Sequence, residues 1–527
     1  MKRPTLLSRR DFLRLTGLGA GALTLTPLLE ACSQTLTAAP TSRPLAATST
    51  LPVSRDVTID LTAAPGTANL LPGQATRVWQ YHGQVSQGAA DSLQAIPDSY
   101  LGPILRLQRG QNLKLRFSNQ VPDPSIVHWH GLSVPDMMDG HPRIAIPQGQ
   151  AYDYEYRILN RAGTYWYHPH PHGRTGPQAY YGLAGLLIVS DDEEAALGLP
   201  TGEFDLPLVI QDRSFDSQNQ LVYVADTMNG FFGDQVLVNG QAQRTWKVQA
   251  RPYRLRLLNG SNARIYKLAW SDDTPLTVIA TDGGLLEKPV QRAYITLAPG
   301  ERVELWADFS AYQPGQEIQL NSLPFSVSTG MMGGMMGSSR LPNGAALDVL
   351  KIQVETAEGS SFAKLPERLS EPGFYTEQDA INRGNPRQFT LAMTMIGTIN
   401  GRTFVMDEVA GDEKVRLGDL EIWEFYNSEG GGMGMMMGGG GHPHPMHLHG
   451  VQFQVLERQL EQQNRQEYKA ISAGFVDVGW KDTVLVWPGE RVRVLVRFEN
   501  FAGLYLYHCH NLEHEDGGMM RNYRVES

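Results

Sequence analysis

Eight of the chain's 14 histidines fall into four His-x-His pairs: His128/His130, His168/His170, His447/His449 and His508/His510. On a β-strand, residues i and i+2 point to the same face, so each pair presents two imidazoles to one side. Neutral imidazole is a good ligand for copper, zinc, iron and nickel. The pairs therefore read as the parts of a metal cluster, two supplied early in the chain and two late. No histidine lies between His172 and His442. The second and fourth pairs also stand in copies of one another. AGTYWYHPH (162–170) and AGLYLYHCH (502–510) agree at six of nine positions. A duplicated context argues against histidines scattered by chance on exposed strands.

Between His508 and His510 stands Cys509, whose thiol the same alternation turns to the opposite face. Downstream the spacing is Cys509-x4-His514-x4-Met519, and His444 precedes the third pair. One Cys, two His and a long axial Met make up the ligand set of a blue-copper electron-transfer site.

A repeated strand pattern must position these residues. Three alternating runs end in Asn: ILRLQRGQNLKLRFSN (104–119), WKVQARPYRLRLLN (246–259) and KVRLGDLEIWEFYN (414–427). Each is followed by a Pro/Gly turn and a second alternating strand: IPQGQAYDYEYRI (146–158), LAPGERVELWADF (297–309) and VWPGERVRVLVRF (486–498). Period-2 alternation bounded by turn residues predicts half-buried antiparallel strands, and its repetition predicts three similar β-sandwiches, at 55–195, 200–357 and 385–527. Residues 358–384 form a polar linker. The 54 Gly and 32 Pro suit such a turn-rich β protein. Two Cys exclude a disulfide scaffold. A formal charge of −10 without a basic stripe argues against nucleic acid as a partner. No internal apolar run reaches the ~20 residues of a spanning helix.

HWHG (128–131), HPH (168–170), HPMHLHG (444–450) and HCHNLEHEDGGM (508–519) stand in order, and with them the chain resembles the multicopper oxidases over about 55–527. LRLLNGSNAR (255–264), IATDGGLLEKPV (279–290) and GWKDTV (479–484) are similar to the bacterial branch that holds laccases and the periplasmic cuprous oxidase of copper efflux. The resemblance implies an all-β fold of three consecutive cupredoxin-like Greek-key β-sandwich domains and four copper ions. The type 1 copper would take His444, Cys509 and His514 with Met519 axial, and Met520 lies one residue beyond the family spacing. The type 2 copper would take His128 and His447. One type 3 copper would take His130, His168 and His510, the other His170, His449 and His508. The implied reaction passes four single electrons from a reducing substrate to dioxygen, giving water. Asp139 and Glu515 match acidic positions that the cuprous oxidase uses for proton supply. His82, His141 and His172 read as solvent-facing or supporting residues, and the role of His442 is open.

Two Gly/Met tracts, at 330–337 and from 430 up to His444, carry Met331, Met332, Met335, Met336, Met433, Met435, Met436 and Met437. Thioethers favour Cu(I), so a cuprous substrate stands beside phenols and Mn(II) as electron donor, with a role in copper tolerance. Against this, the Met/His-rich insertion of the cuprous oxidase is absent, leaving Met393 and Met395. Its acid before the type 1 histidine is also replaced, by Gly438 to Gly441. Copper nitrite reductases lack four complete His pairs. A non-catalytic copper-sequestering periplasmic protein is the alternative; it explains the methionines but leaves Cys509 without a purpose. At the N-terminus, Ser8-Arg9-Arg10-Asp11-Phe12-Leu13 predicts a twin-arginine signal over 1–31. Leu29-Glu30-Ala31-Cys32 predicts a lipoprotein site, followed by a Ser/Thr/Pro-rich tether over 32–54. The expectation is an extracytoplasmic monomer that meets the membrane only through a lipid at Cys32.

Overall fold

The computed structural model describes residues 56–242, 245–327, 341–359, 362–393, 396–428, 441–461 and 465–527. The signal, the tether with Cys32, Met395 and the methionines of both Gly/Met tracts lie outside the described residues. Among the described residues, no helix is long and apolar enough to cross a membrane.

Each of the three long alternating runs is two strands rather than one. Ile104–Gln108 and Asn112–Asn119 lie in different sheets, as do Thr245–Gln249 and Pro252–Asn259, and Lys414–Arg416 and Leu420–Asn427. Alternation continues across each break because the chain passes from one sheet to its facing sheet, so the same apolar side stays on the core. In the first and third runs the crossing turn carries Gly110 (φ +87°) and Gly418 (φ +92°), a conformation that favours glycine. The sheets are mixed rather than purely antiparallel. In each sandwich the second half of the run lies between a parallel neighbour and an antiparallel one. The parallel neighbours are Asp56–Ala68, Asp205–Arg213 and Arg387–Met393. The antiparallel ones are Ala151–Arg157, Arg302–Asp308 and Glu490–Arg497, the second strands expected from the repeat.

The repeated Asn and Pro/Gly residues have one common job. Asn119, Asn259 and Asn427 are fully buried. Their Nδ2 groups donate to the carbonyls of Ile146 (2.9 Å), Leu297 (2.8 Å) and Val486 (3.2 Å), just ahead of the turn prolines. Their own carbonyls accept from Gly149, Gly300 and Gly489 in those turns. Each Asn thus clips the end of one core strand to the start of its partner, satisfying backbone groups that have no ladder to join.

Three hydrophobic cores fill the three sandwiches, each drawn from both facing sheets: Leu115 and Trp129 in the first, Leu257 and Leu268 in the second, and Phe425 and Tyr507 in the third. The first two sandwiches are joined by a buried charged cluster. Glu304 accepts from Thr164 Oγ1 (2.7 Å), Arg254 Nε (2.7 Å) and Arg256 Nη1 (2.8 Å). Arg256 also grips Asp205, and Arg254 grips Glu194. Burial opposes ionisation of Glu304, but Arg254 and Arg256 outweigh it and hold the carboxyl down at about 2.

Glu304→Gln therefore removes the carboxylate that two buried guanidinium groups share and should cost about 3–5 kcal/mol in denaturant unfolding near neutral pH. Because the folded carboxyl titrates below the ordinary value of 4.5, this contribution is complete above that value and fades as pH falls toward 2. The gap between wild type and variant should close over the same interval. A constant gap would place the destabilisation in packing instead.

Candidate metal centre

The four His-x-His pairs sit on two matching strand pairs. In the first sandwich, Val127–His130 runs antiparallel to Gly163–Pro169 with His128 opposite His168. In the third, His444–Leu448 runs antiparallel to Gly503–Cys509 with His447 opposite His508. These faces meet, and all eight imidazoles are fully buried. His128 stacks on His449 and His130 on His447, each with ring centroids 3.7 Å apart. His170 meets His508 at 5.0 Å, and His168 meets His510 at 5.3 Å. Exchanging 128 with 447, 130 with 449, 168 with 508 and 170 with 510 reproduces every one of these contacts. The duplicated sandwiches thus meet as two-fold partners do, residue i on j and j on i.

Hydrogen bonds at the back of the rings fix which nitrogens face inward. Nδ1 of His128 donates to the Asp139 carbonyl (2.7 Å), and Nδ1 of His447 to the Asp482 carbonyl (2.8 Å). Nδ1 of His449 donates to Asp139 Oδ2 (2.7 Å), and Nε2 of His130 donates to Asp482 Oδ1 (3.0 Å). A neutral imidazole that donates through one nitrogen keeps a lone pair on the other. The inward lone pairs then face one another. Nε2 of His128 and His447 are 3.4 Å apart, His170 and His508 3.3 Å, His449 and His508 3.0 Å. His130 Nδ1, His168 Nε2 and both nitrogens of His510 are buried without a hydrogen-bond partner. Lone pairs held this close repel unless a cation lies between them. Two imidazole nitrogens each ~2 Å from one metal ion stand about 3–3.5 Å apart, so the donor set fits bound metal. Burial first, then crowding by neighbouring rings, holds His130, His168, His447, His449 and His510 well below the ordinary imidazole pKa. They are neutral, as metal ligation requires.

A second cluster lies on the other side of the Gly503–Cys509 strand. Cys509 Sγ is 3.4 Å from His444 Nδ1 and 3.6 Å from His514 Nδ1, and these nitrogens are 3.3 Å apart. Met519 is fully buried. Its N–H donates to the His514 carbonyl (2.9 Å), and its carbonyl accepts from the Cys509 N–H (3.0 Å). His514 is presented by the short helix Leu512–Asp516, which Asn511 caps by accepting from the N–H groups of Glu513 and His514.

Sequence profiles of the family described as "Multicopper oxidase" match residues 77–194 and 377–527. Multicopper oxidase mco of Staphylococcus haemolyticus is 31% identical over 427 residues, covering 81% of this chain and 82% of its own. A laccase of Bacillus stratosphericus is 29% identical over 503 residues, covering 85% and 90%. The crystal structure of the McoA multicopper oxidase of Aquifex aeolicus matches 90% of this chain and 97% of its own, with a TM-score of 0.74 and 35% identity. This chain belongs to the multicopper oxidase family. It is a copper oxidoreductase that uses oxygen, and its three sandwiches are cupredoxin-like.

In this multicopper oxidase the expected acids touch the cluster. Asp139 is fully buried against His449 and His128. Glu515 lies 3.1 Å from His508 Nδ1 and 3.5 Å from His170 Nε2. Two groups escaped sequence reasoning. Asp482, in the GWKDTV stretch, is the two-fold counterpart of Asp139, holding His447 through its carbonyl and His130 through its carboxylate. Arg302 of the middle sandwich locks that carboxylate through both of its terminal nitrogens (2.7 and 2.5 Å). The Met228 carbonyl accepts from His514 Nε2 (3.1 Å), so the middle sandwich also fixes the Cys509 site. Asp482 lies much farther beyond its His pair than Asp139 does, so no spacing marks it. Of the remaining histidines, His141 donates to Asn522 (2.8 Å), and His172 is exposed beside Phe404. His82 is exposed on Thr76–Gln87, and the His442 ring lies 5.9 Å from His514. Met520 is buried against Leu506, away from solvent.

Asp482→Asn removes the charge that orients His130 and balances Arg302. Copper affinity of the eight-histidine cluster, measured by chelator competition, should fall about 10–100-fold, with the Cys509 site's thiolate absorption retained. Unchanged retention would mean that Asp482 only joins the sandwiches.

Proposed function

We propose that this oxidase couples four one-electron oxidations of a small reducing substrate to the reduction of one dioxygen and four protons to two waters. Cys509 carries the reading. Its thiol faces His444 and His514, while its peptide bonds join it to His508 and His510 in the other cluster. A short covalent path therefore links the two sites. Four copper ions complete the set. His444, Cys509, His514 and Met519 would hold the type 1 ion, and His128 with His447 the type 2 ion. His130, His168 and His510 would hold one type 3 ion, and His170, His449 and His508 the other. The two-fold exchange converts one type 3 set into the other. Bound copper would supply the one-electron redox chemistry that couples donor oxidation to dioxygen reduction.

The chain itself must bring protons. Asp139 and Glu515 are assigned this role because each lies against cluster histidines and, among the described residues, neither is paired with Arg or Lys. Asp482, tied to Arg302, is the positioning carboxylate. For the donor, phenols, Cu(I) and Mn(II) are the candidates, and Cu(I) would give the oxidase a part in copper tolerance. In the sequence, the second Gly/Met tract ends three residues before His444, and this proximity along the chain is what favours Cu(I). Twin-arginine export and lipidation at Cys32 would place the enzyme outside the cytoplasm. Membrane fractionation of wild type against Cys32→Ala checks this, with release of the variant expected.

Cys509→Ser should abolish the thiolate absorption and oxygen uptake with every donor while the eight cluster histidines stay in place. Normal turnover would overturn the electron route. Deleting 431–439 should slow Cu(I) oxidation and raise kcat/KM for bulky phenols at unchanged copper content. Unchanged cuprous oxidation would mean that the methionines are filler in a laccase.

A further inference from the structure

His514 is 1% exposed. The residue that shields its outer nitrogen belongs to the middle sandwich, in the long connection between strands Asp205–Arg213 and Gln235–Val238. Irregular connections longer than about 12–15 residues are uncommon and usually functional. Segment 223–231 of this one closes on itself. The Tyr223 and Phe231 rings stand 5.4 Å apart, and each packs on Tyr180 of the first sandwich, at 4.9 and 4.5 Å. Glu513, the residue before His514, accepts from the Tyr223 hydroxyl (2.8 Å), the Phe231 N–H (3.0 Å) and Asn262 Nδ2 (2.7 Å). A buried carboxylate of the third sandwich thus clamps both ends of a middle-sandwich strap.

Asp226 builds the tip of the strap. Its Oδ1 accepts from the N–H groups of Met228 and Asn229 (3.0 Å each), and its Oδ2 from Asn229 Nδ2 (2.9 Å). Its carbonyl accepts from the Gly230 N–H (2.8 Å). An aspartate that binds the backbone two residues on makes a tight turn. This turn directs the Met228 carbonyl at His514, whose Nε2–H donates to it (3.1 Å). Asn511 Nδ2 lies 3.1 Å from the same nitrogen and closes its other side. The Nδ1 of His514 faces Cys509 Sγ. The protein's own carbonyl therefore occupies the ring edge that an organic donor would need to touch.

We propose that Asp226 is a positioning residue that holds the strap on His514, keeping phenols from direct contact with the ring and setting the potential of the Cys509 site. This rests on the type 1 reading of His444, Cys509 and His514. An imidazole whose outer N–H donates to a carbonyl is the more basic ligand, which favours the higher charge on a bound metal and lowers the potential. A phenol hydroxyl must displace the Met228 carbonyl to reach Nε2. The strap therefore biases the oxidase toward metal-ion donors, which need no hydrogen bond to the ring.

The first test needs no copper: diethyl pyrocarbonate labelling of the copper-free full chain, read at His514 by peptide mass spectrometry, with the half-exposed His442 as internal reference. Asp226→Ala should speed labelling of His514 about tenfold over wild type. Loaded with copper, the same variant should keep the thiolate band, shift the site to a higher reduction potential and lower KM for guaiacol about tenfold. Asp226→Asn retains an acceptor oxygen and should stay near wild type in all three. Tyr223→Phe frees one end of the strap and should move each readout the same way by less; it also serves if Asp226→Ala folds poorly. Equal labelling of His514 in wild type and the strap variants, or a potential and KM that do not move, would overturn the proposal. A wild type without a thiolate band would overturn the type 1 reading instead, while the copper-free labelling would still decide whether the strap shields His514.

Discussion

The ion pair between Arg302 and Asp482 is the contact on which the rest of the centre depends. Arg302 is fully buried in the middle sandwich and donates to the Thr164 carbonyl of the first sandwich as well as to Asp482 of the third. Its own sandwich holds it through the carbonyls of Gly300 and Asp282. One side chain thereby fixes the relative position of three sandwiches. A buried charge pair of this kind is weak evidence for net stability, since desolvation opposes it. Its value here is geometric, because a histidine cluster assembled from two sandwiches works only in one register. The histidine-free middle sandwich earns its place by supplying that register.

Duplication explains the layout of the centre, and divergence explains its chemistry. The two-fold relation between the first and third sandwiches puts His128 opposite His447 and makes equivalent triplets of the other six rings. Asp139 and Asp482 occupy matching places behind them. The symmetry is broken where chemistry differs. Asp482 is neutralised by Arg302, while Asp139 has no such partner among the described residues and keeps Oδ1 unbonded. Pro169 stands between His168 and His170 where Cys509 stands between His508 and His510, so only the third sandwich carries the second site.

Much of this was legible in the residues because strand alternation is a rigid rule. Period 2 was enough to put each His pair on one face and the Cys509 thiol on the other. The Asn and Pro/Gly repeats marked real clips between core strands. Two things were hidden. Alternation is preserved when a chain crosses between facing sheets, so each run read as one strand although it is two. The PGERV motif occurs twice with the same local role for its glutamate, Glu301 accepting from the Ala298 N–H and Glu490 from the Trp487 N–H. Its arginines differ completely. Arg491 is half-exposed and pairs with Glu424, whereas Arg302 is the buried tie between sandwiches. Identical pentapeptides could not reveal that, because the difference lies in what packs against them.

On the proposed reading, two linked sites, one built on a thiolate and one on eight imidazoles, would hold the copper that this oxidase uses. Anaerobic titration of the copper-free protein with copper, followed by absorption and by metal content after gel filtration, tests it directly. About four tightly held coppers per chain are expected, with the thiolate-to-copper band saturating at about one of them. A single bound copper, or full loading without a thiolate band, would contradict it.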